Sequence, residues 1–199
     1  MTAPFPGPDG RPRCPWSGGA PEFLAYHDAE WGFPVADDRR LFDKLSLEGF
    51  QSGLSWRTIL AKQENFRAAF AGFSAVARFG DNDVERLLKD AGIVRHRGKI
   101  EAVVNNARRA EELIEREGSL AAYVWRYEPD AGELPSPQTV STSPASVALS
   151  KDLRKRGWKF VGPTTVYAFL QAMGLINDHV KECVIRAGAH AAREAFVRP

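Results

Sequence analysis

The feature that most constrains the fold is an amphipathic stretch from Gly98 to Arg116. Its apolar residues recur at the 3.6-residue period of an α-helix, with Glu and Arg side chains between them. A helix of that length has to bury its apolar face against other elements. The sequence has no extended apolar–polar alternation and no Asn-Gly turn that would predict a sheet. We therefore expect an all-α fold.

Shorter helical signals support the same fold class. Ser143 and Pro144 form a typical helix start, because Ser caps free backbone N–H groups and Pro is tolerated in the first turn, and Gly157 ends this helix. The Pro-, Ser- and Thr-rich segment before it, 133–144, is predicted to be a loop. Further helical patterns cover residues 38–48, 55–70, 82–88, 123–127 and 164–173.

Length and composition favour one domain without a membrane span. A chain of 199 residues buries roughly 70% of its unfolded surface as a single unit, and no stretch approaches the about 20 apolar residues that cross a bilayer. Two cysteines do not make a disulfide scaffold, which indicates a cytoplasmic protein. Residues 1–12 are rich in proline and lack an apolar signal segment, so we predict a disordered extension there and a single helical domain over 13–199.

Total charge does not indicate a nucleic-acid partner. The chain has 27 basic and 25 acidic residues, a formal net charge of +2, so any DNA-binding face has to come from local clustering. A basic cluster at 151–159 precedes a turn at Gly162 and a predicted helix start, where free backbone N–H groups suit a DNA phosphate. The alternative is a solvated basic face without a ligand.

Four possible metal ligands lie near the two ends of the sequence. His27 follows Cys14 by thirteen residues, and His179 precedes Cys183 by four, which places the second pair on one face if the segment from Asp178 is helical. Two sulfurs and two imidazoles would complete tetrahedral zinc with no open position, as in structural sites. Spacing alone slightly favours buried thiols and histidines without a metal, because the pairs do not match a zinc-finger pattern. A disulfide is disfavoured in the cytoplasm.

Glu48 stands on the same predicted helix face as Leu41 and Leu45. A carboxylate among apolar residues is either rotated to the rim or held by specific donors, because burial without partners is costly. Aromatic residues flank it along the chain, among them Tyr26 and Trp56. Such rings can stack on a flat ligand while one carboxylate binds its edge. The alternative is a set of ordinary core aromatics with polar groups at their edges.

Several short motifs in a fixed order resemble one known family, the bacterial 3-methyladenine DNA glycosylase I family, a branch of the helix–hairpin–helix glycosylase superfamily. The resemblance covers roughly residues 13–185, nearly the whole chain. The matching stretches are 13–16, 25–28, 30–32, 47–49, 53–56, 90–93, 95–100, 143–146, 160–162 and 177–180.

This resemblance implies a base-excision repair enzyme that hydrolyses the N-glycosidic bond of 3-methyladenine in alkylated double-stranded DNA. The products are free 3-methyladenine and an abasic site. It also implies a monomer with a helix–hairpin–helix glycosylase-like bundle, in which a structural zinc ion joins the N- and C-terminal segments. The family pattern replaces the metal-free interpretation, and the zinc ligands that it implies are Cys14, His27, His179 and Cys183.

The family pattern also assigns roles in the base pocket and on the DNA. Glu48 becomes the catalytic carboxylate that accepts hydrogen bonds from the methylated adenine. The rings that stack on the base or line the pocket are Tyr26, Trp56, Trp16 and Trp31. Gln51 and Leu54 would enter the duplex where the nucleotide has left the stack, and Gly162 belongs to the hairpin that grips the DNA backbone.

Two other functional classes fit parts of the sequence. A non-catalytic, zinc-stapled module that binds damaged DNA would use the same cluster and the same basic turn without releasing a base. A zinc hydrolase would need an open coordination position, which a metal held by all four side chains does not have.

Overall fold

The computed structural model describes residues 4–70 and 72–199. Within these residues the secondary structure is almost entirely helical, as predicted, with a single two-stranded ladder and two short 3-10 helices, Pro15–Gly18 and Ala131–Glu133. The α-helices are α1 (Pro21–Ala29), α2 (Asp38–Gln51), α3 (Trp56–Leu60), α4 (Gln63–Ala69), α5 (Phe73–Val76), α6 (Asp81–Lys89), α7 (Arg97–Glu117), α8 (Leu120–Trp125), α9 (Pro144–Lys155), α10 (Pro163–Ala172) and α11 (Ile185–Ala195).

The N-terminal segment differs from the predicted disordered extension. Strand β1 (Phe5–Pro6) pairs antiparallel with β2 (Pro12–Arg13). Arg13 is 7% exposed, and its guanidinium donates to the Asp9 carboxylate at 2.6 Å. The ion pair joins a buried arginine to an exposed aspartate and connects the turn between the two strands to β2, a contact that composition alone does not reveal. Residues 1–3 of the predicted extension lie outside the described residues.

Helix α2 positions the candidate base pocket. It begins at Asp37, whose side chain accepts the backbone N–H of Arg40 at 2.8 Å. The helix packs against α3, α7, α8 and α10, so most of its residues are enclosed. Leu41, Leu45 and Glu48 are all buried, so of the two positions that the sequence left open for Glu48, the rim or the interior, the structure has the interior one. The carboxylate is therefore inside the protein and needs partners there.

The basic turn lies between α9 and α10, which pack against each other. Ser143 caps α9 as predicted, accepting the backbone N–H of Ser146 at 3.2 Å. Asn106 of α7 holds the turn by two hydrogen bonds to Lys159. Its side chain accepts from the backbone N–H at 2.8 Å and donates to the carbonyl at 2.9 Å. A methyl group at Gly49 would stand 3.4 Å from Phe160 Cβ, so the turn abuts the end of α2.

The buried apolar residues form one cluster that runs from Cys14 near the start of the chain to Cys183 near its end. The backbone N–H of Val184 donates to the carbonyl of Pro12 at 2.9 Å, which ties the two ends directly. In the described part of the chain, no helix combines the length and the apolar character needed to cross a membrane.

Candidate functional site

A buried ion pair on α2 forms the centre of the candidate base pocket. Lys44 Nζ donates to Glu48 Oε1 at 2.8 Å, and the two side chains are 7% and 5% exposed. Lys44 Nζ also donates to Tyr26 Oη at 2.6 Å. The same ammonium lies 3.8 Å from the ring centroid of Trp56 and 4.7 Å from that of Tyr26. The structure thus brings the predicted carboxylate and two predicted stacking rings together around a lysine.

The sequence analysis did not single out Lys44. The signal was available, because Lys44 precedes Glu48 by four residues and an i, i+4 pair shares one helix face. Partners for a carboxylate on an apolar face could therefore have been sought one turn away on the same helix.

Burial shifts the protonation of the groups around Glu48. Burial lowers the pKa of the Lys44 ammonium, while the nearby Glu48 carboxylate opposes this shift. Burial also raises the pKa of the Tyr26 phenol well above its ordinary value, and the Glu48 charge adds to the effect. The phenol is therefore neutral near pH 7. The indole N–H of Trp56 is buried and has no hydrogen-bond partner among the described residues, so it is free to donate to a ligand.

Trp16 and Trp31 extend the aromatic group away from Glu48. The Trp16 ring centroid lies 6.2 Å from that of Tyr26, 5.2 Å from that of His27 and 5.1 Å from that of Trp31. Trp31 packs edge-on against His179, with ring centroids 4.7 Å apart. Trp16 therefore lies between the base pocket and the histidines, and Trp31 lies beside the histidines.

The four possible metal ligands converge in a second buried cluster, in which the donor atoms all lie within 4.8 Å of one another. His179 Nδ1 is 3.6 Å from the sulfur of Cys14 and 3.6 Å from that of Cys183. It is 3.2 Å from His27 Nε2. Tetrahedral zinc, with bonds of about 2.3 Å to sulfur and about 2.1 Å to nitrogen, separates S from N by about 3.6 Å and N from N by about 3.3 Å. The residues fit such an ion.

Surrounding groups fix the orientation of these ligands. His27 Nδ1 lies 2.7 Å from Asp28 Oδ1. The other oxygen of that carboxylate, Oδ2, accepts from Arg13 Nε at 2.9 Å. His179 Nε2 lies 3.1 Å from the Trp31 carbonyl oxygen. Metal-ligating histidines typically direct their second ring nitrogen at such acceptors. The outer partners therefore favour the tautomers that present a lone pair to a metal.

The sulfur atoms share this environment. Contact with the Cys14 thiol, and then the hydrogen bonds from His179 and His27, lower the pKa of the Cys183 thiol. A thiolate is the form of cysteine that binds a metal. The cluster is thus chemically suited to a cation as well as geometrically sized for one.

The local structure behind the second ligand pair differs from the prediction. Residues 177–184 form turns and irregular backbone, and α11 begins only at Ile185, so His179 and Cys183 do not share a helix face. The turn brings the two side chains together instead: the Cys183 backbone N–H donates to the Val180 carbonyl at 3.0 Å. The sequence analysis based this pairing on a helical spacing, whereas in the structure a turn brings the two side chains together.

The predicted DNA-contacting residues lie around the end of α2. Gln51 is the last residue of α2, and Leu54 follows in an exposed turn in which Gly53 has φ +76°. Leu54 is 41% exposed, although it is a large apolar residue. Lys99 of α7 holds this turn, donating to the carbonyls of Phe50 at 2.8 Å and Ser52 at 2.5 Å. Gly162 precedes α10 in the neighbouring basic turn.

Comparisons with known proteins agree with this geometry. Residues 16–187 match the family model described as methyladenine glycosylase. The chain is 47% identical over 182 residues to DNA-3-methyladenine glycosylase 1 of Escherichia coli strain K12, covering 88% of this chain and 97% of that protein.

Solved structures give the same result. A crystal structure of 3-methyladenine DNA glycosylase I superposes with a TM-score of 0.80 at 45% identity, covering 86% of this chain and 98% of that one. The 3-methyladenine DNA glycosylase I of Staphylococcus aureus, solved to study 3-methyladenine recognition, has a TM-score of 0.78 at 38% identity and covers 84% and 92%. The chain therefore belongs to the methyladenine glycosylase family.

Proposed function

We propose that this protein is a base-excision repair glycosylase that hydrolyses the N-glycosidic bond of 3-methyladenine in alkylated DNA. It would release the free base and leave an abasic site. The observation that carries the proposal is the buried Glu48 carboxylate beside the rings of Tyr26 and Trp56. The names of its relatives, which are 3-methyladenine glycosylases, support the same substrate.

The pocket suits a flat, positively charged purine. Methylation at N3 gives the nucleotide a cationic base, which is already a good leaving group. A ring stacked on that cation contributes about 0.5–2 kcal/mol. The Glu48 carboxylate accepts hydrogen bonds from the base edge and attracts its charge, and the free indole N–H of Trp56 offers one donor. Binding energy of this kind selects the lesion over neutral bases.

Glu48 also has a place in the chemical step. As the glycosidic bond breaks, positive charge develops on the deoxyribose, and an anionic group held in a dry site stabilises that charge. Tyr26, being neutral, orients the base, which leaves as neutral 3-methyladenine. Water then adds to the deoxyribose cation to form the abasic site and releases one proton to solvent. Because the leaving group is activated by its own methylation, the pocket needs no strong general acid.

The exposed turn after α2 and the basic turn before α10 together form the proposed DNA-binding face. The target nucleotide has to leave the duplex to reach Glu48, which costs a few kcal/mol. Gln51 and Leu54 project from the first turn and would fill the vacated space in the stack. Gly162 and the N-terminus of α10 would hold a phosphate, as the hairpin of helix–hairpin–helix glycosylases does.

We infer that the Cys14, His27, His179 and Cys183 cluster holds a structural zinc ion. Its four protein donors fill the tetrahedral positions, so a bound ion would supply cross-linking of the chain ends rather than a reactive water. This assignment separates the proposal from a zinc hydrolase.

The test is release of free 3-methyladenine from methylated duplex DNA by the purified protein, measured by chromatography. We expect release by the wild type and a decrease of about 100-fold or more in Glu48→Gln, which keeps the size of the side chain and removes its charge. Glu101→Gln, the same substitution at an exposed position of α7, serves as the control for altered charge.

The same assay separates catalysis from damage binding. A non-catalytic module would bind DNA that contains abasic sites but release no base. Binding without release would therefore contradict the proposed function, and full activity in Glu48→Gln would contradict the assignment of the site.

A further inference from the structure

Lys44 occupies the place in the pocket that suits a cationic base. Its ammonium has the partners expected of such a ligand: the Glu48 carboxylate at 2.8 Å, the Tyr26 hydroxyl at 2.6 Å and the face of the Trp56 ring at 3.8 Å. A carboxylate and aromatic faces are the groups that bind an organic cation in proteins. The described protein thus carries its own substitute for the substrate.

We propose that Lys44 is an internal competitor of the substrate base, which has to leave the space between Glu48 and Trp56 before any base can bind there. The inference rests on the proposed function, because it takes the same pocket as the base site. It assigns Lys44 as the residue that sets how tightly the pocket holds a base.

Charge and space both support competition. With Lys44 in place, the Glu48 charge is neutralised, and a cationic base would meet a second cation within the same dry pocket. The contact distances of the ammonium to Glu48 and Trp56 also leave no room for a ring between them. The cationic base of the nucleotide is therefore excluded by charge and by space, and a neutral free base by space alone.

The side chain is able to leave. Lysine carries its charge on a flexible four-carbon stem, so the ammonium can swing away while α2 stays fixed. Burial also lowers the pKa of Lys44, which makes its retention in the pocket less favourable. A base that offers stacking and hydrogen bonds to Glu48 can then replace it.

Competition predicts a particular pattern of affinities. Displacement of Lys44 precedes the binding of every base, so its removal strengthens the binding of 3-methyladenine and of unmodified adenine by the same factor. A residue that contacts the base directly would instead change the two affinities unequally, and usually weaken them.

The experiment measures dissociation constants for free 3-methyladenine and free adenine by calorimetry, with the wild type and Lys44→Met. We expect Lys44→Met to bind both bases at least ten-fold more tightly. Lys44→Gln, which leaves an uncharged donor for Glu48, is expected to fall between them, and it replaces the Met variant if that variant does not fold.

Lys99→Met is the matched control. Lys99 is another buried lysine, but its ammonium donates to the carbonyls of Phe50 and Ser52 rather than to Glu48. General loosening of the protein would affect both variants, whereas competition is relieved only in Lys44→Met. Equal tightening in the two variants would overturn the proposal.

Unchanged or weaker binding by Lys44→Met would also overturn it, as would an absence of measurable binding in all the variants. Failure of the proposed function has a different signature. In that case the wild type releases no 3-methyladenine from methylated DNA, whatever the calorimetry shows for Lys44.

Discussion

The protein buries two polar clusters that differ in how they are built. The Cys/His cluster collects Cys14, His27, His179 and Cys183 from opposite ends of the chain, and their donor atoms all lie within 4.8 Å of one another. The base pocket centres on Lys44 and Glu48, one turn apart on α2, which face each other. The Cys/His cluster suits a permanently bound metal ion. In the base pocket, by contrast, the Lys44 ammonium is a partner that a ligand could replace.

This difference separates stability from function. Ligands that are held by Asp28, the Trp31 carbonyl and the chain ends can convert metal binding into folding free energy. A buried ion pair contributes little net stability, because the desolvation of both charges offsets their attraction. Under the proposed assignments, the pocket gives up its internal pair to a substrate at a modest cost, whereas loss of a ligand from the cluster weakens the fold.

The largest expected effect is the loss of a ligand from the Cys/His cluster. His179→Ala should abolish binding of one zinc ion per chain and lower the melting temperature by about 10 °C or more, because structural zinc binding contributes many kcal/mol to folding. Metal analysis and thermal unfolding measure both effects. His190→Ala is the control, since His190 is exposed and its one ion-pair partner among the described residues is Glu194 at 3.3 Å. Retention of the metal in His179→Ala would refute the site.

The next effect concerns the ion pair. Glu48→Gln and Lys44→Met should each lower the free energy of unfolding by about 3 kcal/mol, because each leaves one buried charge without its partner. The double variant should return to within about 1 kcal/mol of the wild type while remaining inactive. Urea unfolding of the four proteins completes the cycle. If the two decreases in the free energy of unfolding simply add in the double variant, Lys44 and Glu48 do not stabilise each other.

A smaller effect is expected at Gly32. Its φ is +85°, and an added methyl group would lie 2.9 Å from His179 Nε2. Gly32→Ala should cost about 1–3 kcal/mol of strain and also weaken zinc binding. Gly118→Ala is a matched control, because Gly118 has φ +89° but open space around it. Equal metal affinity in the two variants would mean that Gly32 does not support the cluster.

The smallest effect should come from the outer partners of the ligands. Asp28→Asn removes the charge that holds His27 and is expected to weaken zinc binding about 10-fold. Asp9→Asn provides the comparison, because Asp9 also pairs with Arg13 but does not contact His27, and zinc affinity should not change. A competition titration with a chelator measures both. Equal losses would indicate that Arg13, rather than Asp28, controls the ligand.

Local chemistry was predictable from the sequence where short-range rules decide the outcome. The Ser143 cap, the long helix α7 and the position of Glu48 on the helix face of Leu41 and Leu45 follow from spacing and capping alone. The internal partner of Glu48 was not predicted, although it lies on the same helix, because lysine is rarely buried.

Long-range contacts shape two segments for which short-range rules give little guidance. Arg13 reaches Asp28 on α1 and the Pro12 carbonyl accepts from Val184, which connects segment 4–13 to the rest of the chain, while the disorder expected for residues 1–12 stays a prediction. The i, i+4 pairing of His179 and Cys183 depended on a helix from Asp178, and the structure has turns and irregular backbone there instead. These long-range contacts leave no periodic signal in the sequence. The family resemblance therefore predicted that the four Cys and His residues act together, which spacing alone did not favour.

The ligand order along the chain has a consequence for biosynthesis. Cys14 and His27 emerge early from the ribosome, whereas Cys183 emerges after more than nine-tenths of the polypeptide has been translated. If the cluster holds zinc as proposed, a nascent chain carries Cys14 without its partner ligands until Cys183 emerges, and oxidation of that thiol in the interval would block the site. The yield of metal-loaded protein should then depend on zinc and on reducing conditions late in translation.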